Sequence, residues 1–257
     1  MLTEIEFYDR LAEFFDVMID WQSRLAVELP FIQATLTRHN ARAVLDCACG
    51  TGGHTIALAQ RGYRVMGSDI SAAMIARAQM NARRADLSIP FSVARFQDLR
   101  ATFREKFDAV LCIGNSFVHV LDDDDALASL VTMRECLRDD GVLILHNLNN
   151  DKRWKEKPRW FAVNSGALQE RETLVWRFAD YDEAANRITF NIALFTKDEQ
   201  GNWSVQVQST PQRPYQKIEI ENLLQRAGFR NLEFYGSLQG EPFDAEQSGD
   251  LVTVASA

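Results

Sequence analysis

With 257 residues, 46% of them apolar and 25% charged, the chain is long enough for one large α/β domain with a full core. A formal net charge of −8 argues against a protein held on nucleic acid by a basic surface. There is no apolar run of about 18 residues, so no membrane span is expected. The start, Met-Leu-Thr-Glu-Ile-Glu, lacks the basic and apolar regions of a secretory leader. Cys47, Cys49, Cys112 and Cys136 read as small buried residues in a reducing cytoplasm. With no nearby His or second cysteine pair, a metal site is not expected.

Residues 4 to 28 are helical in pattern. Phe7, Leu11, Phe14, Phe15, Met18 and Trp21 form a stripe that would pack on the core or on another subunit, as in a homo-oligomer. A further amphipathic helix covers Pro30 to His39. Ala43, Val44 and Leu45 then read as a buried strand that finishes at Asp46. The turn Gly50-Thr51-Gly52-Gly53 leaves little side chain to block a ligand, and the helix after it offers free N–H groups. Strand, glycine turn and helix open a nucleotide-binding unit.

Tyr63 to Gly67 supplies a second strand, ending at Ser68 and Asp69. An acidic residue there accepts hydrogen bonds from ribose hydroxyls, so the unit fits a bound adenosine. Two details favour S-adenosylmethionine over a dinucleotide. The third small position of the dinucleotide fingerprint is occupied by Thr55. Asp46 would repel a pyrophosphate, whereas a carboxylate suits an ammonium and a sulfonium. Ser71 caps a helix over Ala72 to Arg84. Ile70 and Met74 flank the acidic loop in position to sandwich adenine.

Pro90 to Phe96 reads as strand three, followed by Gln97-Asp98-Leu99. Phe107 to Ile113 is a nearly continuous apolar run, as expected of a central parallel strand. Gly114, Asn115 and Ser116 then lie at the sheet edge that holds ligands. His119, close by, is placed either to orient or deprotonate substrate or to serve as a hydrogen-bonded loop residue. Asp122 to Asp125 reads as the capped, solvated start of a helix over Ala126 to Leu137. Asp139-Asp140-Gly141 reads as a turn and Val142 to Leu145 as strand five.

Residues 150 to 215 break the alternation. The basic, aromatic segment 152–160 reads as a loop over the active-site mouth. Strands over Glu170 to Tyr181, Arg187 to Thr196 and Trp203 to Gln208 form an antiparallel meander. A helix over Ile218 to Ala227 closes at Gly228, and Phe229 to Tyr235 and Asp250 to Ala255 are the last strands.

Val-Leu-Asp-Cys-Ala-Cys-Gly-Thr-Gly, followed by Gly-Ser-Asp-Ile-Ser, resembles motif I and the acidic loop of the class I S-adenosylmethionine-dependent methyltransferases. Phe107 to Val120 is similar to the glycine and sarcosine N-methyltransferase branch. The resemblance implies a Rossmann-like seven-stranded α/β sheet in a single domain of residues 1–257. It also implies an N-terminal helical lid, 1–40, and a substrate-side insertion at 150–215. The implied cofactor-binding set is Tyr8, Trp21 and Arg24 on the lid; Asp46, Ala48, Gly50, Thr51 and Gly52; Asp69, Ile70 and Met74; Gln97, Asp98 and Leu99; and Ile113, Gly114, Asn115 and Ser116. Within it Arg24 would hold the methionine carboxylate and Asp98 the adenine amino group. Asn149 would contact the substrate carboxylate and Tyr215 would line the pocket, joining His119 as the candidate catalytic residues. Arg153, Arg159 and Arg213 are candidate carboxylate clamps on chemical grounds.

The expected activity is methyl transfer from S-adenosylmethionine to a small molecule, favouring the nitrogen of an amino acid or amine, with neither nucleic acid nor membrane as partner. An oxygen or carbon acceptor is the alternative, and would go with a large apolar pocket lined by Trp154, Trp160 and Phe161. A non-catalytic S-adenosylmethionine-binding protein is a further one.

Overall fold

The structure is a computed structural model that describes residues 2–168 and 171–257. Three helices precede the first strand: α1 (Glu4–Leu11), α2 (Phe15–Met18) and α3 (Trp21–Arg38). Thr3 and Glu6 close a capping box at the start of α1, each accepting the other's backbone amide. Asp20 caps α3 by accepting the Ser23 amide at 3.1 Å. The expected break before Pro30 is absent. The helix runs through Pro30, held by Leu29, Ile32 and Leu36, which are buried against the sheet. The breaks fall earlier, between α1, α2 and α3.

Four strand–helix units follow: β1 (Ala43–Asp46) and α4 (Gly53–Ala59), β2 (Arg64–Asp69) and α5 (Ala72–Arg84), β3 (Phe91–Val93) and α6 (Leu99–Thr102), β4 (Phe107–Cys112) and α7 (Asp123–Cys136). Then come β5 (Leu137–Leu148) and α8 (Asn150–Glu156), and the strands β6 (Asn164–Leu168), β7 (Arg171–Asp182), β8 (Arg187–Lys197) and β9 (Trp203–Gln212). The chain closes with α9 (Lys217–Arg226), β10 (Arg230–Tyr235) and β11 (Asp250–Ser256).

The first sheet has the order β10-β11-β5-β4-β1-β2-β3. β3, β2, β1, β4 and β5 pair in parallel, and β11 runs antiparallel to both of its neighbours. This is the seven-stranded Rossmann-like sheet the sequence led us to expect. Along β4, Ala109 and Leu111 pack under α3 and α4, while Phe107, Val110 and Cys112 pack against α7 and α9. The strand is thus buried on both faces, which explains its apolar run from Ala109 to Cys112.

Three local expectations are corrected. Strand three is only Phe91–Val93, because the chain turns into a short 3₁₀ helix at Phe96–Asp98. The turn expected at Asp139–Gly141 is absorbed into β5 as a bulge: Phe107 pairs with Leu137 and Ala109 already with Val142, with Asp140 in the left-handed region. The expected loop over 152–160 is largely the helix α8. Asn149 caps it through the Lys152 amide, and Arg153 is buried.

β6 to β9 form a separate antiparallel sheet in sequential order. It is the expected meander. Its second strand begins at Arg171, and the Glu170 of that expectation lies outside the described residues. Val175, Ile192 and Leu194 on its inner face pack with Phe7 and Leu11 of α1 and Met74 of α5. The inserted sheet and the N-terminal helices therefore share one core. Among the described residues no helix is long and apolar enough to cross a membrane.

Candidate functional site

The C-terminal edges of β1, β2 and β4 open into a cavity of about 480 Å³, roofed by the N-terminal helices and walled by the meander. This is the sheet edge where open α/β folds bind ligands, and the size is ordinary for a small-molecule site.

At one end, Asp69 closes β2. Its Oδ2 accepts the Gly50 amide at 2.9 Å and its Oδ1 the Ser71 amide at 3.0 Å. Burial nevertheless pushes its carboxyl up to about 6, with the Asp46 charge adding to the rise. Glu4 of α1 lines the same end, and burial and the Asp69 charge push it up to about 7. Ile70, Met74, Ala94 and Phe96 supply apolar wall there.

The glycine turn packs tightly under the lid. Gly52 has φ +89°, a conformation few side chains adopt, and a Cβ on Gly53 would lie 2.3 Å from the Trp21 ring. Asp16 of α2 ties the layers together. It accepts the Trp21 indole N–H at 3.0 Å and the Thr51 hydroxyl at 2.6 Å, and pairs with Arg77 of α5 at 3.3 Å.

Arg24 on α3 reaches the end of β4: a Cβ on Gly114 would sit 3.7 Å from its Nη2. Its Nε pairs with Glu28 at 2.9 Å, and Glu28 also lies 2.5 Å from His54 Nε2. Burial opposes ionisation of Glu28, but the His54 hydrogen bond and the Arg24 charge outweigh it and hold its carboxyl below the usual range. Beside Gly114, Asn115 is also left-handed, with φ +66°, and accepts the Leu148 amide through Oδ1 at 2.9 Å. Strained backbone of this kind collects at ligand sites.

One turn along α1 from Glu4, Tyr8 Oη lies 2.9 Å from His119 Nε2, ring edge to ring face. Burial pushes His119 down to about 4, so it is neutral at pH 7, and its Nδ1 has no hydrogen-bond partner among the described residues. Arg177 projects inward from β7. Its Nη2 donates to Asn164 Oδ1 at 2.8 Å, but its Nε is buried without a partner, and no carboxylate pairs with it among the described residues. Desolvation lowers its pKa from the ordinary value. The Asp run is the exposed, capped helix start expected of it, with Asp122 accepting the Asp124 and Asp125 amides at 2.9 and 3.4 Å, and Asp122 and Asp125 also reach the cavity rim.

The structure thus brings Tyr8, Trp21, Arg24, Ala48, Gly50, Asp69, Ile70, Met74, Gln97, Ile113, Gly114, Asn115, Ser116 and His119 to one cavity. Other expected residues lie elsewhere. Asp46 is buried behind the wall, accepting the Thr55 hydroxyl at 2.7 Å, and burial raises its carboxyl pKa. Thr51 and Gly52 hold the turn from below, Leu99 is in the core, and Asp98 is exposed. Asn149 does not face the cavity. Its Nδ2 donates to the carbonyls of Asp244, Ala245 and Ser248 at 3.4, 3.1 and 3.0 Å. Tyr215 is fully buried, donating to the Val120 carbonyl at 2.6 Å. Both are corrected from substrate contacts to structural side chains whose hydrogen-bonding groups are already used. Arg153, Arg159 and Arg213 are likewise outside the cavity, the last paired with Asp123 and Glu219.

Comparison with known proteins agrees with this geometry. A family model described as a methyltransferase domain matches residues 44–141. The glycine/sarcosine N-methyltransferase of Aphanothece halophytica is 29% identical over 91% of this chain and 83% of its own length. That of Parasynechococcus marenigrum is 38% identical over 57% of this chain, which spans about half of that relative (52%). A crystal structure of an S-adenosylmethionine-dependent methyltransferase from Clostridium acetobutylicum superposes with a TM-score of 0.79 over 97% of this chain and 98% of that one, at 18% identity, and so shares the fold. The chain thus carries a match to a methyltransferase domain over residues 44–141 and has the fold of an S-adenosylmethionine-dependent methyltransferase.

The donor set fits S-adenosylmethionine. A carboxylate that still has free lone pairs stands at one end of the cavity, apolar walls stand beside it, and a guanidinium and left-handed backbone stand at the end of β4. These suit a ribose diol, an adenine and an amino-acid tail respectively. Sequence reasoning missed Glu4, Arg177 and Asp16. Glu4 and Asp16 sit on helices whose apolar stripe drew attention away from them. Arg177 shows only as one charged inward position on an otherwise apolar strand face.

Proposed function

We propose that this methyltransferase transfers a methyl group to the amine of a small amino acid of the glycine or sarcosine type. The observation that carries the reading is Arg177, a cation in the cavity wall with no carboxylate partner among the described residues. An acceptor's carboxylate would supply the missing charge through a bidentate pair. The names of the Aphanothece and Parasynechococcus relatives support the same substrate class.

Bound S-adenosylmethionine supplies a methyl group on an already activated sulfonium. What the chain must add is alignment and a neutral amine. Asp69 takes the ribose hydroxyls and Ile70 and Met74 bracket the adenine. Arg24 takes the methionyl carboxylate, with Glu28 fixing its fork. Tyr8 and His119 form the wall beside the acceptor nitrogen. The burial that keeps His119 neutral disfavours an ammonium in the same place, so the cavity itself promotes the reactive free amine. His119 orients the acceptor and does not store its proton, because a group held near pKa 4 is a weak base at neutral pH. Residues 1–257 act as one unit, with 1–40 as lid and 150–215 as the substrate-side wall.

The test is calorimetric titration with S-adenosylmethionine and with NAD, followed by an S-adenosylhomocysteine-release screen over glycine, sarcosine, other amines, phenols and carboxylic acids. Turnover on glycine or sarcosine is expected. Turnover only on a phenol or a carboxylic acid would discard the amino-acid reading. The Trp160 that would have pointed to a bulky acceptor stacks on Trp176 at 5.1 Å, outside the cavity.

A further inference from the structure

The Arg24 guanidinium can offer a carboxylate either of two edges. One is the outer edge made by its two Nη atoms, the other the side edge made by Nε and Nη2. Nη2 is the atom that reaches Gly114 at the end of β4. Glu28 lies one turn further along α3, and its Oε1 accepts from Nε at 2.9 Å. An acid at this helical spacing is placed to close on the whole side edge. Here it does not. Its other oxygen, Oε2, is turned away and meets Nε2 of His54 at 2.5 Å.

His54 stands on the first turn of α4, directly after Gly53 of the glycine turn. It is buried and lines the same cavity as Arg24. Its ring packs edge-on against Trp21, with ring centres 5.5 Å apart, and the Arg24 guanidinium lies 5.5 Å from the centre of that same indole. The Glu28 carboxyl is held below the usual range, so it is ionised at neutral pH and can only accept. His54 Nε2 is therefore the donor. His146 on β5 is the other histidine near Glu28, but it is engaged elsewhere. Its Nδ1 accepts the Gly114 amide at 3.2 Å and its Nε2 lies 3.5 Å from Asp250.

We propose that His54 is a positioning residue for the amino-acid tail of the cofactor: by holding one oxygen of Glu28, it keeps Nη2 of Arg24 free for the tail carboxylate. The inference rests on the reading of Arg24 as the partner of that carboxylate. One Glu28 carboxylate is shared between two elements, Oε1 steering Arg24 on the lid and Oε2 tied to α4. Without His54, Oε2 can swing onto Nη2, and Arg24 and Glu28 then satisfy each other as a side-on pair. The tail would have to displace an acid already in place. The adenosine half of the cavity, at Asp69, Ile70 and Met74, has no part in this exchange.

Calorimetry on the full chain tests this with two ligands, S-adenosylmethionine and methylthioadenosine, which carries the adenosine but no tail. His54→Ala is expected to weaken S-adenosylmethionine binding about 10-fold, the loss of one charge-assisted hydrogen bond, and to leave methylthioadenosine affinity within about twofold. His54→Gln, which keeps a donor, is expected to recover most of the loss. In a Glu28→Ala background the competing acid is gone, so His54→Ala should there change S-adenosylmethionine affinity by less than about twofold. Should His54→Ala fail to fold, His54→Leu, which fills the space without a donor, takes its place in each comparison. Arg24→Ala tests the underlying reading: if it weakens both ligands alike, or neither, Arg24 does not hold the tail and the inference falls with it. If Arg24→Ala acts on S-adenosylmethionine alone, yet loss of His54 spares both ligands or weakens both equally, Arg24 keeps its role and the proposal for His54 is overturned. A His54 effect that persists undiminished without Glu28 would overturn it as well.

Discussion

Asp69 Oδ2 accepts the Gly50 amide at 2.9 Å, joining the end of β2 to the glycine turn that follows β1. One carboxylate thereby shapes the turn and faces the cavity. Asp69→Ala is expected to weaken S-adenosylmethionine binding by about 1–3 kcal/mol through lost hydrogen bonds. Calorimetry measures this directly. An unchanged affinity would remove Asp69 from the cofactor site.

The raised carboxyls of Glu4 and Asp69, at about 7 and about 6, set a pH dependence. Both bind protons more tightly in the folded chain than in the unfolded one. Their contribution to stability is therefore complete below the ordinary carboxylate pKa and is lost as pH rises through 6 to 7. The ligand-free melting temperature should fall over that window. Glu4→Gln should flatten the upper part of the fall, and parallel profiles for parent and variant would refute the assignment. Cofactor affinity should move oppositely, rising as Asp69 ionises and becomes a full acceptor.

Arg177 has no carboxylate partner among the described residues, and the proposed acceptor would bring one. Arg177→Ala should raise the KM for an amino-acid acceptor by about 10- to 100-fold, the loss of one charged hydrogen-bonded pair, and leave S-adenosylmethionine affinity in place. Steady-state kinetics with the cofactor saturating separates the two. Equal KM values in parent and variant would exclude a carboxylate at this position.

Asn149 and Tyr215 should behave as structural residues. Asn149→Ala removes the buried side chain that donates to three backbone carbonyls and should cost about 1–3 kcal/mol in stability. Tyr215→Phe loses one bond to Val120 and should cost roughly 0.5–1.5 kcal/mol. Denaturant melts give both values. A variant that melts like the parent yet fails to bind acceptor would restore the substrate-contact role.

The parallel sheet was legible because its signals are local. The Ala43–Asp46 strand, the glycine turn and the Asp69 terminus each declare themselves within a few residues. The acceptor side was legible only in part. His119 could be placed because it follows a strand end. Asn149 follows one too, but the 244–248 segment folds back and takes its amide, a contact about a hundred residues away that no spacing announces. Segment 152–160 suggested a loop by its charge and aromatics, yet Asn149 capping and burial of Arg153 made it a helix. Arg177 needed the register of β7 before its direction could be known.

That register carries a consequence of its own. Along β7, Val175, Arg177 and Ala179 point inward, and Trp176 and Phe178 point outward. Because strand side chains alternate with period two, inserting or deleting one residue between Arg171 and Val175 would reverse both sets together. The guanidinium would pass to solvent and an indole would enter the cavity. The cavity wall and the outer aromatic face are thus written on alternate letters of one strand: point substitutions can alter either by itself, while a single-residue frameshift in the strand must alter both.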